Sequence, residues 1–366
     1  MNLHLIGGFL GSGKTTAIIG AAKLLVVSGK KVGIITNDQG KFLVDTAFIR
    51  SQHLPVIEVS GGCFCCNFDD FTAHIDQIVA AYQPGVLFAE SVGSCADMVA
   101  TVIKPLLQFH PSQTPPTSFS VFVDSRLLEL ALLGKDLPFS DEVTYIFKQQ
   151  INEAGLLVIN KADLLSLERK RMVKKLAKEK YPLKQVVLQN SQNIVQVNKW
   201  LIYLESGKAG LPDKSLQLDY QRYAGGEAKL AWLDANVQFT IPKQHNFQVI
   251  INILKEITAS VQKSVKSIGH IKFAICGENE DAVKLGFTTL DDLTSLMHLA
   301  DEQLQNLHGN YLKLIINIRV EGNAVDLKIL VQEIIEKEVS RMGGNITFMQ
   351  ISSFYPSKPV PTHHIK

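Results

Sequence analysis

Eight residues near the start of the chain, GFLGSGKT at positions 8–15, constrain the fold more than any other stretch. An apolar run, LHLI, precedes them, and TTAIIGAAKLLVVSG follows with apolar residues at helical spacing and a terminal Gly29 that reads as a helix stop. Glycines at 8, 11 and 13 let the backbone turn sharply between strand and helix. The rhythm then repeats. KVGIIT, PVIEVS, GVLFAE, SFSVFVD, GLLVIN and KQVVLQ are short apolar runs, separated by helical patterns such as DDFTAHIDQIVAAY, where Phe71, Ile75, Ile78 and Tyr82 share one face. Strand-helix alternation of this length predicts an α/β fold, a doubly wound, mainly parallel sheet covered on both faces.

At 366 residues the chain exceeds what one core usually supports, so two domains are expected. The alternation spans 1–206. A polar stretch and a connecting helix, DYQRYAGGEAKLAWLDA, fill 207–235. From 236 to 355 the order becomes β-α-β-β-α-β, the α+β ferredoxin-like arrangement, and 356–366 read as an extended, Pro-rich tail. Charges nearly cancel, 37 basic against 35 acidic, and no basic run marks a nucleic-acid or membrane footprint. No signal-peptide pattern and no apolar stretch of membrane-spanning length occur, which leads to the expectation of a cytoplasmic chain without nucleic-acid or membrane partners. In a reducing compartment its five cysteines would remain thiols.

The strand-helix context turns GFLGSGKT into a phosphate-binding loop of the GxxxxGK[ST] type. Gly8, Gly11, Ser12, Gly13 and Thr16 would shape the cradle, Lys14 would reach the β and γ phosphates, and the Thr15 hydroxyl would take magnesium. NKAD, residues 160–163, follows another apolar strand. Asp163 would accept hydrogen bonds from guanine N1–H and the 2-amino group, Asn160 would bridge base loop and phosphate loop, and Lys161 would lay its stem along the base. Alternatively, Asp163 caps the next helix. Ser191, after the following strand, is a further candidate for the base. In ESVG, Glu90 would hold the magnesium shell or orient water, and the Gly93 amide would sense the γ-phosphate; the alternative is a helix cap at Glu90.

GGCFCC, residues 61–66, gathers three of the five cysteines. On an extended chain Cys63 and Cys65 face one side, and a turn at the glycines or at Cys66 would bring in the third sulfur. Three thiolates suit a soft ion such as Zn2+ with one position open, for which Glu58, His53, His74 and Cys95 are candidate fourth ligands. A redox cluster is the competing reading. Cys276 reads as core.

These motifs, with NDQG at 37–40, resemble the CobW-type metal-handling GTPases, relatives of the nickel-insertion GTPases of hydrogenase and urease maturation, over roughly residues 3–195. The resemblance implies a magnesium-dependent GTPase that converts GTP to GDP and carries Zn2+ or Co2+ at Cys63, Cys65 and Cys66. Delivery would be to a client metalloprotein or cofactor-pathway protein, with a homodimer as a possible state. In this reading Lys14, Glu90 and Asp38 are the catalytic set, Asp38 standing where relatives commonly have glutamate. The alternative is a switch or assembly chaperone for a metalloprotein or corrinoid protein, with a structural metal. The family's histidine-rich run is absent, and Cys95 stands where relatives usually have an aliphatic residue.

Overall fold

The computed structural model describes residues 1–110, 116–212, 214–242, 246–278, 282–305 and 309–366. Seven strands alternate with helices in the first part of the chain: β1 (Asn2–Gly8), β2 (Val32–Asp38), β3 (Val56–Ser60), β4 (Val86–Glu90), β5 (Pro116–Asp124), β6 (Leu156–Asn160) and β7 (Gln185–Leu188). They form one sheet in the order β3-β2-β4-β1-β5-β6-β7, and every pairing is parallel. Parallel strands covered on both faces must be apolar throughout. The central strands comply: β4 and β6 are buried at every residue. Gly8, Asp38, Glu90 and Asn160 thus end four strands at one edge of the sheet, where ligands of doubly wound sheets gather.

The helix after β1 runs Lys14–Val27, and Gly29 at φ 77° ends it as the sequence predicts. The helix Phe68–Tyr82 buries Phe71, Ile75 and Ile78, but Tyr82 is exposed and Phe68 takes its place in the core. Beyond β4 the expected helix opens with a π turn, Val99–Ile103, before Lys104–Phe109. Pro105 has no N–H to donate one turn back, and a wider turn ahead of it accommodates that loss.

His4 on β1 is fully buried, its Nδ1 2.8 Å from the Ser118 hydroxyl and 3.2 Å from that of Thr117. Burial drives its pKa from the usual 6.5 to about 4, against a smaller upward pull from Glu205. In the unfolded chain His4 protonates below about 6.5, whereas the folded chain resists until about 4, so stability is lost as pH falls through that window. A loss of about 2 kcal/mol between pH 7.5 and 5 is expected from this group. Urea unfolding at the two pH values should show that slope in the wild type and a smaller one in His4→Asn; equal slopes would contradict the assignment.

The chain forms two units: Met1–Gln39 with Leu54–Gly226 and Lys358–Lys366, and Gly40–His53 with Glu227–Ser357. The segment between β2 and β3, including the helix Val44–Ser51, therefore belongs to the second unit, which sequence order does not show. That unit has an antiparallel sheet of β8 (Leu230–Thr240), β9 (Ser267–Cys276), β10 (Ala282–Phe287), β11 (Tyr311–Glu321) and β12 (Asn345–Phe354), in the order β10-β9-β11-β8-β12. Strands β8, β9, β11 and β12 with the helices Asn246–Ser264 and Ala324–Arg341 carry the βαββαβ order. An edge strand, β10, and the helix Leu293–Leu304 are added between the second and third of these strands. The connecting helix covers only Tyr220–Lys229, because its expected second half, LAWLDA, is the buried start of β8.

Inside the second unit Asp45 lies 2.5 Å from both Lys272 and Lys284. Burial alone would raise its carboxyl, but the two ammonium groups outweigh that and hold it well below the usual carboxylate range.

Candidate nucleotide and metal site

The phosphate loop requires its glycines. Gly8 and Gly13 have φ of 128° and 87°, and a Cβ at Gly8 would lie 2.1 Å from the Phe122 carbonyl oxygen. A Cβ at Gly13 would lie 2.4 Å from Asn160 Nδ2. Gly11 is also left-handed, at φ 69°. Ser12 is buried and Thr16 exposed. Lys14, 7 % exposed, donates from Nζ to the Gly8 carbonyl at 2.8 Å, which places its ammonium inside the loop where phosphate oxygens would be met. The Thr15 hydroxyl donates to Glu90 Oε1 at 2.9 Å, so the two residues expected at magnesium are in contact. Hydroxyl and carboxylate are hard oxygen donors, and the pair fits that ion. Glu90 ends β4, eight residues ahead of Met98, at which the next helical turn begins. Asp38 ends β2, on the far side of β4 from β1.

Asn160 connects two loops. Its Nδ2 donates to the Ser12 carbonyl at 2.7 Å, while Oδ1 accepts from the Ser191 hydroxyl at 2.8 Å and the Ser191 N–H at 3.1 Å. Lys161, at φ 54°, turns its ammonium to Asp124 at 3.2 Å. Burial would raise the Asp124 carboxyl, but Arg126 and Lys161 outweigh it and hold it below the usual range. Asp163 is exposed in the turn Ala162–Leu164. The following helix is capped by Ser166, so Asp163 is not its cap.

The three cysteines are gathered by a tight turn, not by alternation on an extended chain. The Cys63 carbonyl accepts from the N–H groups of Cys66 (3.0 Å) and Asn67 (2.9 Å), a single helical turn leading into the helix Phe68–Tyr82. Phe64 is thereby turned away and stacks on Phe71 with centroids 4.0 Å apart. The sulfur of Cys63 is 2.8 Å from that of Cys65 and 3.1 Å from that of Cys66, and Cys65 and Cys66 are 3.8 Å apart. A tetrahedral ion with bonds of about 2.3 Å separates its sulfurs by about 3.8 Å, so one edge already matches and two would open on loading. Side-chain contacts with Cys65, Cys66 and Cys95 outweigh burial and hold the Cys63 thiol well below the usual thiol range. The contact with Cys63, with burial, raises Cys65 well above that range and pushes Cys66 up to about 11.

Two positioning residues escape sequence reasoning. Asn37, at the end of β2, donates to the carbonyls of Val59 (3.0 Å) and Gly62 (2.6 Å) and accepts from the Phe64 N–H at 3.0 Å, fixing the cysteine turn from both sides. Its place in NDQG was the available signal. Gln150 donates to the carbonyls of Gly93 (3.0 Å) and Cys95 (2.8 Å), and no sequence pattern marks it. Gly93 itself presses on the phosphate loop, since a Cβ there would lie 3.2 Å from Leu10 Cα.

None of the four candidate fourth ligands joins the three sulfurs in the group whose ligand atoms all lie within 4.8 Å of one another among the described residues; Cys95 is buried on the loop after β4. His53 belongs to the second unit, and half-buried His74 turns Nδ1 to the Asp70 carbonyl of its own helix. Glu58 lies on β3, half-buried. The tail also reaches the site. Thr362 donates from its N–H to the Cys65 carbonyl (2.8 Å) and from its hydroxyl to that of Cys66 (3.1 Å). His364 pairs with Asp97 at 3.0 Å, and His363 packs edge-on to Phe68.

The model of the CobW/HypB/UreG nucleotide-binding domain matches residues 2–188, just over half of the chain. A zinc chaperone CobW of Sinorhizobium sp is 26 % identical over 184 residues, 44 % of this chain and 51 % of that protein. The zinc-regulated GTPase metalloprotein activator 1 of Dictyostelium discoideum is 25 % identical over 211 residues, 49 % of this chain and 44 % of that protein. The chain spans about half the length of the curated relatives it matches. HypB from Helicobacter pylori, solved in complex with nickel, aligns at TM-score 0.43 and 15 % identity over 59 % of this chain and 92 % of that one. By the match of its first 188 residues, the chain belongs to the CobW/HypB/UreG family of nucleotide-binding domains.

Proposed function

We propose that this chain is a GTP-dependent metal chaperone, which hydrolyses GTP to GDP and phosphate and couples nucleotide state to the binding and transfer of a transition metal, Zn2+ or Co2+. The observation that carries this reading is the placement of three mutually contacting sulfurs, all within 4.8 Å, on a turn held by Asn37 at the sheet edge that also carries the phosphate loop and Glu90. Soft sulfur donors select zinc, cobalt or a similar ion over magnesium. The hard Thr15–Glu90 pair would hold magnesium, which supplies charge neutralisation at the transferred phosphoryl group. Lys14 would bind phosphate, and Asp163 would read guanine from its exposed turn. Asp38 would line the switch segment, and the recipient would be a client metalloprotein.

Titrating Zn2+ against the full chain, with and without a non-hydrolysable GTP analogue, tests the coupling. Linkage requires that whatever factor GTP applies to zinc affinity, zinc applies to GTP affinity. A Cys63→Ser/Cys65→Ser/Cys66→Ser variant should lose both the zinc site and the factor while still binding nucleotide. Retention of nucleotide-sensitive zinc affinity in that variant would remove the metal assignment.

A further inference from the structure

The segment Lys358–Lys366 belongs to the first unit, far along the chain from the cysteine turn it touches. Pro359 and Pro361 fix φ and favour an extended course, and the segment forms neither helix nor strand. Its polar groups nonetheless have partners. Thr362 donates from its N–H to the Cys65 carbonyl at 2.8 Å and from its hydroxyl to the Cys66 carbonyl at 3.1 Å. Ile365 donates to the Ala100 carbonyl in the π turn at 2.9 Å and accepts from the Ser215 hydroxyl at 3.0 Å. His364 Nε2 lies 3.0 Å from Oδ2 of fully buried Asp97, which also accepts from the Tyr220 hydroxyl at 2.7 Å. Between these anchors His363 rests edge-on against Phe68, with centroids 5.0 Å apart. The segment is therefore tied to the thiol-bearing turn through Thr362, and to the stretch after β4 through His364 and Ile365. Cys63 and Cys65 are buried and Cys66 is half-buried, so an ion or reagent reaches the sulfurs past Cys66, where Thr362 is bonded.

We propose that residues 358–366 are a strap over the cysteine turn, which must lift from the Cys65 and Cys66 carbonyls before the thiols can be reached. As a gate on metal exchange the strap rests on the metal-binding reading of the turn; as a cover over the thiols it does not. Its contacts with the turn go to main-chain carbonyls and leave the sulfurs to an ion. It therefore sits alike on the empty and the loaded turn, slowing entry and exit by one factor while leaving the affinity unchanged. A support that merely shaped the turn would do the opposite, changing the affinity and not the rate of entry.

Zinc uptake by stopped flow, zinc loss to a chromophoric chelator and the equilibrium Kd are compared for the full chain, a deletion of residues 358–366, and Thr362→Pro. The proline variant lacks both donors yet keeps the anchors at Asp97 and Ala100, so it keeps the test open if the deletion does not fold. Uptake and loss should both quicken at least about tenfold, as expected from losing two such hydrogen bonds, with Kd unchanged. Unchanged rates, or weaker binding without faster uptake, would overturn the gate. In the metal-free protein, iodoacetamide labelling of Cys66 should quicken by a similar factor, and an unchanged labelling rate would overturn the strap whatever zinc does. Faster labelling in the variants of a protein that binds no zinc would remove the metal reading and leave the cover standing.

Discussion

Asp234→Ala is expected to destabilise the second unit by about 3–5 kcal/mol. Asp234 and Arg319 are both fully buried and paired at 2.8 Å on adjacent strands of the antiparallel sheet. Arg319 also donates to the carbonyls of Leu233 and Ile318, each at 3.0 Å, and lies 3.9 Å over the Trp232 ring. Replacing both charges with well-packed apolar groups need not cost stability. Removing only the carboxylate leaves a guanidinium buried without its counter-charge, and that is the expensive change. Asp234 has a second task. It accepts from Asn317 Nδ2 at 2.8 Å and from the Lys41 N–H at 3.2 Å, and Gly40 fits only because a Cβ there would lie 2.0 Å from the carboxylate. The variant should therefore also loosen the segment that follows Asp38. The two tryptophans divide between the units, Trp200 in the first and Trp232 in the second. In a Trp200→Phe background, fluorescence-monitored urea unfolding reports the second unit, and a midpoint unchanged by Asp234→Ala would refute the expectation.

Asn160→Ala should weaken nucleotide binding by about 3 kcal/mol, roughly a hundredfold, and do so alike for GTP and ATP. The side chain makes three buried hydrogen bonds, one to the Ser12 carbonyl and two from Ser191, which together hold the phosphate loop and the loop after β7 in register. Alanine leaves all three partners without it, and none of them discriminates bases. Asp163→Asn is the contrasting change. Its side chain is exposed, so the fold should be untouched, while the preference for GTP over ATP should collapse if the carboxylate reads guanine. Isothermal titration of both nucleotides with both variants separates the two roles. A base-selective loss in Asn160→Ala would contradict the bridging assignment.

The nucleotide site was largely legible because its parts are local. A phosphate loop needs glycines at fixed offsets between one strand and one helix, and Gly8, Gly13, Lys14 and Thr15 satisfy that within eight residues. The contact of Thr15 with Glu90 follows from β1 and β4 being parallel neighbours, with Ile6 opposite Glu90. The cysteine cluster was legible as a cluster, but its conformation was not, since Cys63 and Cys65 suit an extended chain as well as a turn. What selects the turn is Asn37, whose amide meets Gly62 and Phe64 some 25 residues on. Side-chain amides that pin loops have no periodicity to betray them.

By itself, the sequence determined the parallel sheet, the strand-glycine turn-helix of residues 8–15, the NKAD turn after an apolar strand and the supply of thiols, because each depends on spacing within one element or one turn. Only the tertiary structure decided which distant segments meet. It placed residues 40–53 with the second unit, laid Thr362 across the Cys65 and Cys66 carbonyls, and brought Gln150 to the carbonyls of Gly93 and Cys95. The physical reason is that such contacts are set by where packed cores return the chain, and burial repays the entropy of closing those long loops without leaving a local trace in the residues that close them.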